Sequence, residues 1–290
     1  DGASPYLNDA LVEESFNFYN KTLSGQKEMK ALWKRVLAQI ENGAGEAMGQ
    51  IYVQVAFPPE SRDRMQKLVD NLREALKDMG LLGKPLTATI QGYGNAGSFA
   101  HALYEEIGLK VVGASDSKGG TYNPKGLDYA DLMKHKKMSG TVSDYPGGDK
   151  VTTEEILQAP VDVLIPAALE GFVNENNAAK IKAKVILELA NGPTTPEADA
   201  ILHENGVLVI PDVLANSGGV TVSCFEWIQG RTGDFWTEKT VHEKLDERLT
   251  HAFHEIWRIK KQQNIRMRQA TYVRAMGRII AAMRFRGIWP

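Results

Sequence analysis

Long apolar runs, cysteine and an excess of one charge are all scarce in this 290-residue chain, and each scarcity closes off a class of function. No apolar stretch approaches the roughly twenty residues of a membrane-spanning helix. The opening DGASPYLND carries no signal-peptide core. Cys224 is the single cysteine, so no internal disulfide can form, and a reducing compartment suits the chain better than a secretory one. Lysine and arginine number 34 against 36 aspartates and glutamates, a formal net charge of -2. That balance gives no electrostatic case for nucleic acid or for an anionic membrane. A soluble, cytoplasmic protein is the expectation, long enough for one large or two modest domains.

What is present changes character near residue 80. Residues 8–80 read as helix almost throughout: Ser24 and Ser61 are caps, Gly43 and Gly80 are stops, and Met65, Leu68, Val69, Leu72 and Leu76 recur at helical spacing. From Thr87 onward short β-branched runs appear at TATIQ, KVVGAS, VDVLIPAA, KVILELA and VLVIPDVL, the composition of strands buried in a parallel sheet. Helical stretches separate them, at Ala96–Ile107, Tyr129–Lys136, Thr153–Leu157, Asn174–Lys182 and Thr195–Asn205. The alternation predicts an α/β fold, a doubly wound, mostly parallel sheet of Rossmann type over residues 81–290, with residues 1–80 as an N-terminal helical appendage. Two long C-terminal helices follow, Lys239 to about Gln263 and Arg268 to about Phe285, and the basic run from Arg258 to Arg268 reads as a solvated helix end.

Within that pattern, residues 87–116 read TATIQGYGNAGSFAHALYEEIGLKVVGASD: strand, G-x-G-x-x-G turn, helix, strand and a terminal acid. Gly92 permits the tight turn, Gly94 lets backbone approach a pyrophosphate, and Gly97 lets the helix pack closely on the sheet. Phosphates would sit where Asn95 and Ala96 open the helix, facing unpaired N–H groups and the positive end of its dipole. Asp116 stands about twenty residues beyond Gly97, the place of a carboxylate that accepts the adenosine ribose hydroxyls, with Ser117 beside it. A carboxylate there favours NAD, whereas Ser115, Ser117 and Lys118 leave NADP open. The rival reading of the glycines is a tight structural turn.

Ligands in an open α/β sheet lie beyond the carboxyl ends of its strands. Three later loops have that position: Ala167-Ala168, the stretch around Asn191, and Asn216-Ser217-Gly218-Gly219-Val220. Small residues would let a nicotinamide approach the backbone, and Asn191 or Asn216 could pair with its carboxamide. Both asparagines read equally well as turn or capping residues.

IQGYGNAGS, VVGASDSKGG, PAAL, LELANGPTTPEAD, LVIPDVLANSGGVTVSCFEW and the tail around RMRQATYVRAMGRI follow one another in the order and spacing of glutamate dehydrogenases. Residues 81–290 thus resemble the nucleotide-binding domain and C-terminal helices of that family, in particular its hexameric bacterial and archaeal type. The resemblance implies NAD or NADP as cofactor and glutamate and 2-oxoglutarate as substrate and product, and it leaves a homo-oligomer open. It also implies an apolar contact from Val220 and a hydroxyl from Ser223 to the amino acid. No catalytic residue is identified, because the lysine and aspartate of the family's substrate domain have no counterpart among residues 1–80. Turnover is therefore doubtful, and a cofactor-binding protein without catalysis is the alternative.

Residues 5–76 instead resemble an internal helical segment of neprilysin-like zinc metallopeptidases. The two resemblances meet at Arg73-Glu74-Ala75-Leu76, so the chain looks like a chimera. Peptidase chemistry needs H-E-x-x-H, two imidazoles one turn apart with a glutamate between them. His242-Glu243 and His254-Glu255 both lack the second histidine, so neither zinc nor peptide cleavage is expected.

Overall fold

The computed structural model describes residues 79–80, 86–106 and 108–287. The helices expected between residues 8 and 80 lie outside the described residues, apart from the turn at Met79 and Gly80. The chain divides into two compact units. The larger contains the described residues up to Arg258 together with Arg266–Arg268, and the smaller contains Ile259–Ile265 and the described residues from Gln269 onward.

In the larger unit the elements run β1 (Leu86–Gln91), α1 (Asn95–Glu106), β2 (Leu109–Asp116), β3 (Gly119–Tyr122), α2 (Tyr129–Ser139), β4 (Asp149–Val151), α3 (Thr153–Gln158) and β5 (Val163–Pro166). After a 3-10 turn at Ala178–Lys180 come β6 (Val185–Leu187), α4 (Pro196–Glu204), β7 (Leu208–Ile210), α5 (Asp212–Ala215), α6 (Ser217–Thr232) and most of α7 (Glu238–Gln263). The described strands form one sheet in the order β4-β3-β2-β1-β5-β6-β7. β2, β1, β5, β6 and β7 are parallel, while β3 pairs antiparallel with both β2 and β4. The chain therefore winds outward from β1 in both directions, and β1 and β5 flank the point where the winding reverses.

Close contacts place helices on both faces. A side chain at Gly97 of α1 would reach Ile90 of β1, and one at Gly113 would meet both Ile156 of α3 and Thr89. Ile90 and Thr89 are successive residues of one strand and so point to opposite faces, which puts α1 and α3 on opposite sides of the sheet. On the α3 side, Leu157, Leu164, Ile186, Val209, Ala198 and Leu202 share one core. Each large member contributes about 1.5–3 kcal/mol by its burial. Phe225 of α6 forms a second cluster with Leu245 and Leu249 of α7, and its ring meets Trp236 edge-on at 5.7 Å.

Three expectations are corrected. Asn174–Lys182 is not an α-helix but a loop with the short 3-10 turn. Its asparagines bond locally, with the Asn174 N–H donating to Asn177 Oδ1 and the Asn176 N–H to Asn174 Oδ1, an arrangement that competes with helical bonding. Ser217, Gly218, Gly219 and Val220 are not a loop; they are the first turn of α6. β3 and β4, the glycine-rich GGTY and the three-residue DKV, have no counterpart among the expected strands.

The smaller unit contains the end of α7 and, from Gln269, the body of α8 (Met267–Phe285). Asn264, with φ of 50°, ends α7 in the left-handed region that asparagine tolerates better than most residues.

Candidate nucleotide site

The glycine turn is held at the carboxyl end of β1 by its two neighbours. The Gly92 and Tyr93 N–H groups both donate to the Ser115 carbonyl of β2, at 2.9 and 2.7 Å, and the Ala167 N–H beyond β5 donates to the Gln91 carbonyl at 2.7 Å. Each glycine has a separate reason. Gly92 has φ of 96°, and a Cβ there would lie 2.6 Å from the Ala168 Cβ. A Cβ on Gly97 would fall on the Gly92 carbonyl, whereas one on Gly94 meets nothing within 4 Å. Gly94, Asn95 and Ala96 are exposed. They open α1, whose first turn has no acidic residue, and the first N–H groups of a helix have no partner within it.

Beneath the turn, Tyr93 and His101 are fully buried. His101 Nε2 contacts the Leu127 carbonyl at 3.0 Å and must carry the hydrogen, because a carbonyl only accepts. Nδ1 is then the acceptor for the Tyr93 hydroxyl at 2.5 Å. Burial lowers the His101 pKa to about 4 and pushes the Tyr93 phenol well above its usual range, so both remain neutral. The 3.2 Å contact from Nε2 to Glu105 is thus no ion pair. Lys136 of α2 donates to the Tyr93 carbonyl.

Asp116 closes β2. Its Oδ1 accepts from the Lys118 N–H at 2.9 Å and the Thr141 hydroxyl at 3.0 Å, and its Oδ2 accepts from the Val142 N–H at 2.7 Å. The carboxylate therefore braces its own surroundings, with Ser117 exposed next to it.

The other expected residues form a second group beyond β5, β6 and β7. Ala168 is exposed and Ala167 half-buried. The Leu189 and Ala190 N–H groups donate to the Pro166 carbonyl, and the Gly171 N–H to the Gly192 carbonyl, which joins the loops after β5 and β6. Asn216, half-buried at the start of α6, donates to the Leu189 carbonyl at 3.3 Å and to Asn191 Oδ1 at 2.7 Å. This orientation leaves the Asn216 carbonyl oxygen and the Asn191 amide hydrogens for a ligand. Val220 and Ser223, three residues apart, share one exposed face of α6, flanked by exposed Cys224 and Trp227.

Sequence reasoning missed the supports of this second group. Arg268 does not belong to a solvated helix end: its side chain is 15% exposed and faces three carboxylates. Nη2 lies 2.5 Å from Glu188, Nη1 3.1 Å from Asp212 and Nε 3.2 Å from Asp199. Arg266 pairs with the other Asp199 oxygen at 2.9 Å. Glu188 in the apolar run KVILELA was the available signal, since an acid rarely lies inside a parallel sheet without a partner.

Compared with known proteins, residues 68–287 match the Glutamate/Leucine/Phenylalanine/Valine dehydrogenase family, and residues 1–79 match Peptidase family M13. A glutamate dehydrogenase of Thermotoga maritima is 48% identical over 217 residues, which cover 74% of this chain and 52% of that protein. A cryptic catabolic NAD-specific glutamate dehydrogenase of Bacillus subtilis is 42% identical over 216 residues, 74% of this chain and 50% of the relative. Among solved structures, the hetero-hexameric glutamate dehydrogenase of Thermus thermophilus in its Leu-bound form superposes with a TM-score of 0.72 at 30% identity, covering 79% of this chain and 54% of that one. The chain spans about half the length of the curated relatives it matches. The two family matches overlap at residues 68–79, around the joint expected at Arg73–Leu76, so the chain joins stretches resembling two families.

Proposed function

This chain belongs to the Glutamate/Leucine/Phenylalanine/Valine dehydrogenase family, and on that premise we propose that it binds a nicotinamide dinucleotide across the carboxyl ends of β1, β5, β6 and β7. The observation that carries the reading is the contrast among the three glycines. Gly92 and Gly97 fill space a side chain would need, while Gly94 faces open space at an acid-free helix start. That is a cradle for a pyrophosphate.

Asn95 and Ala96 would donate backbone N–H groups to the phosphates, and Asp116 would receive the adenosine ribose, with NAD preferred. Asn216 offers an acceptor and Asn191 a donor, the two groups a carboxamide requires. When bound there, the nicotinamide ring supplies a hydride acceptor for the α-carbon of an amino acid, glutamate in this reading. Val220 and Ser223 would form one wall for that amino acid. Turnover also needs an ionisable group to manage the amine proton, and none is identified among the described residues, so we assign them binding with little or no catalysis on their own.

Calorimetry and thermal unfolding with NADH test the site. Heat of binding and a raised Tm are expected; no heat and no thermal protection at millimolar cofactor would refute the reading.

A further inference from the structure

We propose that Arg268 is a positioning residue for the nicotinamide half of the site, acting through Glu188 and Asp212 on the loops that carry Asn191 and Asn216. The inference rests on the nucleotide reading above and adds a residue 52 positions beyond Asn216, whose guanidinium is taken up by three carboxylates.

Both carboxylates grip Arg268 with one oxygen and hold backbone with the other. Glu188 Oε1 meets Arg268, and Oε2 accepts the Asp212 N–H at 2.8 Å. Asp212 Oδ1 meets Arg268, and Oδ2 accepts the Gly192 N–H at 2.7 Å. Gly192 is the neighbour of Asn191, and α5, which begins at Asp212, leads directly into Asn216. One guanidinium thus fixes the feet of both asparagine loops, and the 2.7 Å bond between Asn216 and Asn191 joins their tips.

Stability alone is a weak reason for this arrangement, because a buried ion cluster is often no more stabilising than apolar side chains of the same volume. Geometry is the stronger reason. Glu188 is completely buried; burial raises its pKa, and the Arg268 charge opposes that rise. Without the guanidinium, Glu188 and Asp212 would lose the charge that holds them together. Asp212 would then turn away and release Gly192. A lysine substitutes only in part, since a single ammonium lacks the planar fork that meets three carboxylates at once.

The test compares NADH with ADP-ribose, which lacks nicotinamide, on the full chain and on Arg268→Met, with Arg268→Lys as the charge-retaining variant. In Arg268→Met the NADH Kd should rise about tenfold, the scale of one misplaced hydrogen bond, while the ADP-ribose Kd stays within about twofold. Arg268→Lys should recover only part of the loss. Equal changes for both ligands, or no change for either in a folded variant, would overturn the inference. If Arg268→Met does not fold, Asp212→Asn takes its place with the same two ligands and the same criteria. Failure of the unmutated chain to bind NADH would instead remove the nucleotide reading, and this inference with it.

Discussion

At Gly94 and Gly97 the same substitution type should have opposite consequences. Gly94→Leu points into open space, so Tm should hold while NADH binding is lost; Gly97→Ala collides with the Gly92 carbonyl and should destabilise the fold by about 1–3 kcal/mol. Thermal unfolding and NADH fluorescence read the two effects, and a Gly94→Leu variant that still binds would show that no pyrophosphate lies there. The glycines were legible because each residue type carries its own steric message. Asp116 was legible as an acid closing a strand, but its bonds to Lys118, Thr141 and Val142 were not, because two of those partners lie 25 and 26 residues further on. These bonds sharpen the expectation of NAD over NADP. A braced carboxylate cannot swing away from a 2'-phosphate, and at about 4 Å and an effective dielectric near 20 the repulsion reaches a few kcal/mol. Equal or tighter binding of NADPH would sink the preference.

Among the elements, all five strands read from β-branched runs are present, because a buried parallel strand announces itself by composition alone. β3 was hidden by its paired glycines, and the start of α6 by Gly218 and Gly219, whose weak helix propensity is overridden by the Phe225 cluster on α7. Arg268 was illegible for a different reason: its three carboxylates come from 56, 69 and 80 residues away. The chain from Tyr93 through His101 to the Leu127 carbonyl ties the glycine turn to α1 and to the approach to α2, and it is sensitive to acid. His101 is held near pKa 4 when folded, against 6.5 for the free side chain. Between those values only the unfolded state takes the proton, so this stability is intact above pH 6.5 and is lost as pH falls towards 4. The loss is on the order of 2 kcal/mol between pH 7 and 5. Urea midpoints for His101→Gln should be lower at pH 7 but change less between the two pH values; an unchanged slope would mean that His101 does not titrate in this way.

For the whole chain, the proposed reading separates binding from turnover. Among the described residues, Val220 and Ser223 present an exposed face of α6 as one wall of the proposed amino-acid pocket. Holding the reacting atoms in place supplies about 7–11 kcal/mol of a barrier, and one wall cannot do this. With saturating glutamate and NAD, reduced-cofactor absorbance should therefore stay at background in a preparation that binds NADH. Turnover of about one per second, lost in Ser223→Ala, would show a complete active site. The exposed Cys224 has a practical consequence for such experiments. It is the only thiol in the chain, one position from Ser223 and about 12 Å along α6 from Asn216. A maleimide dye would attach at a single address without removal of any other cysteine, and on the proposed reading the fluorescence of the labelled protein should change on adding NADH and stay unchanged on adding ADP-ribose.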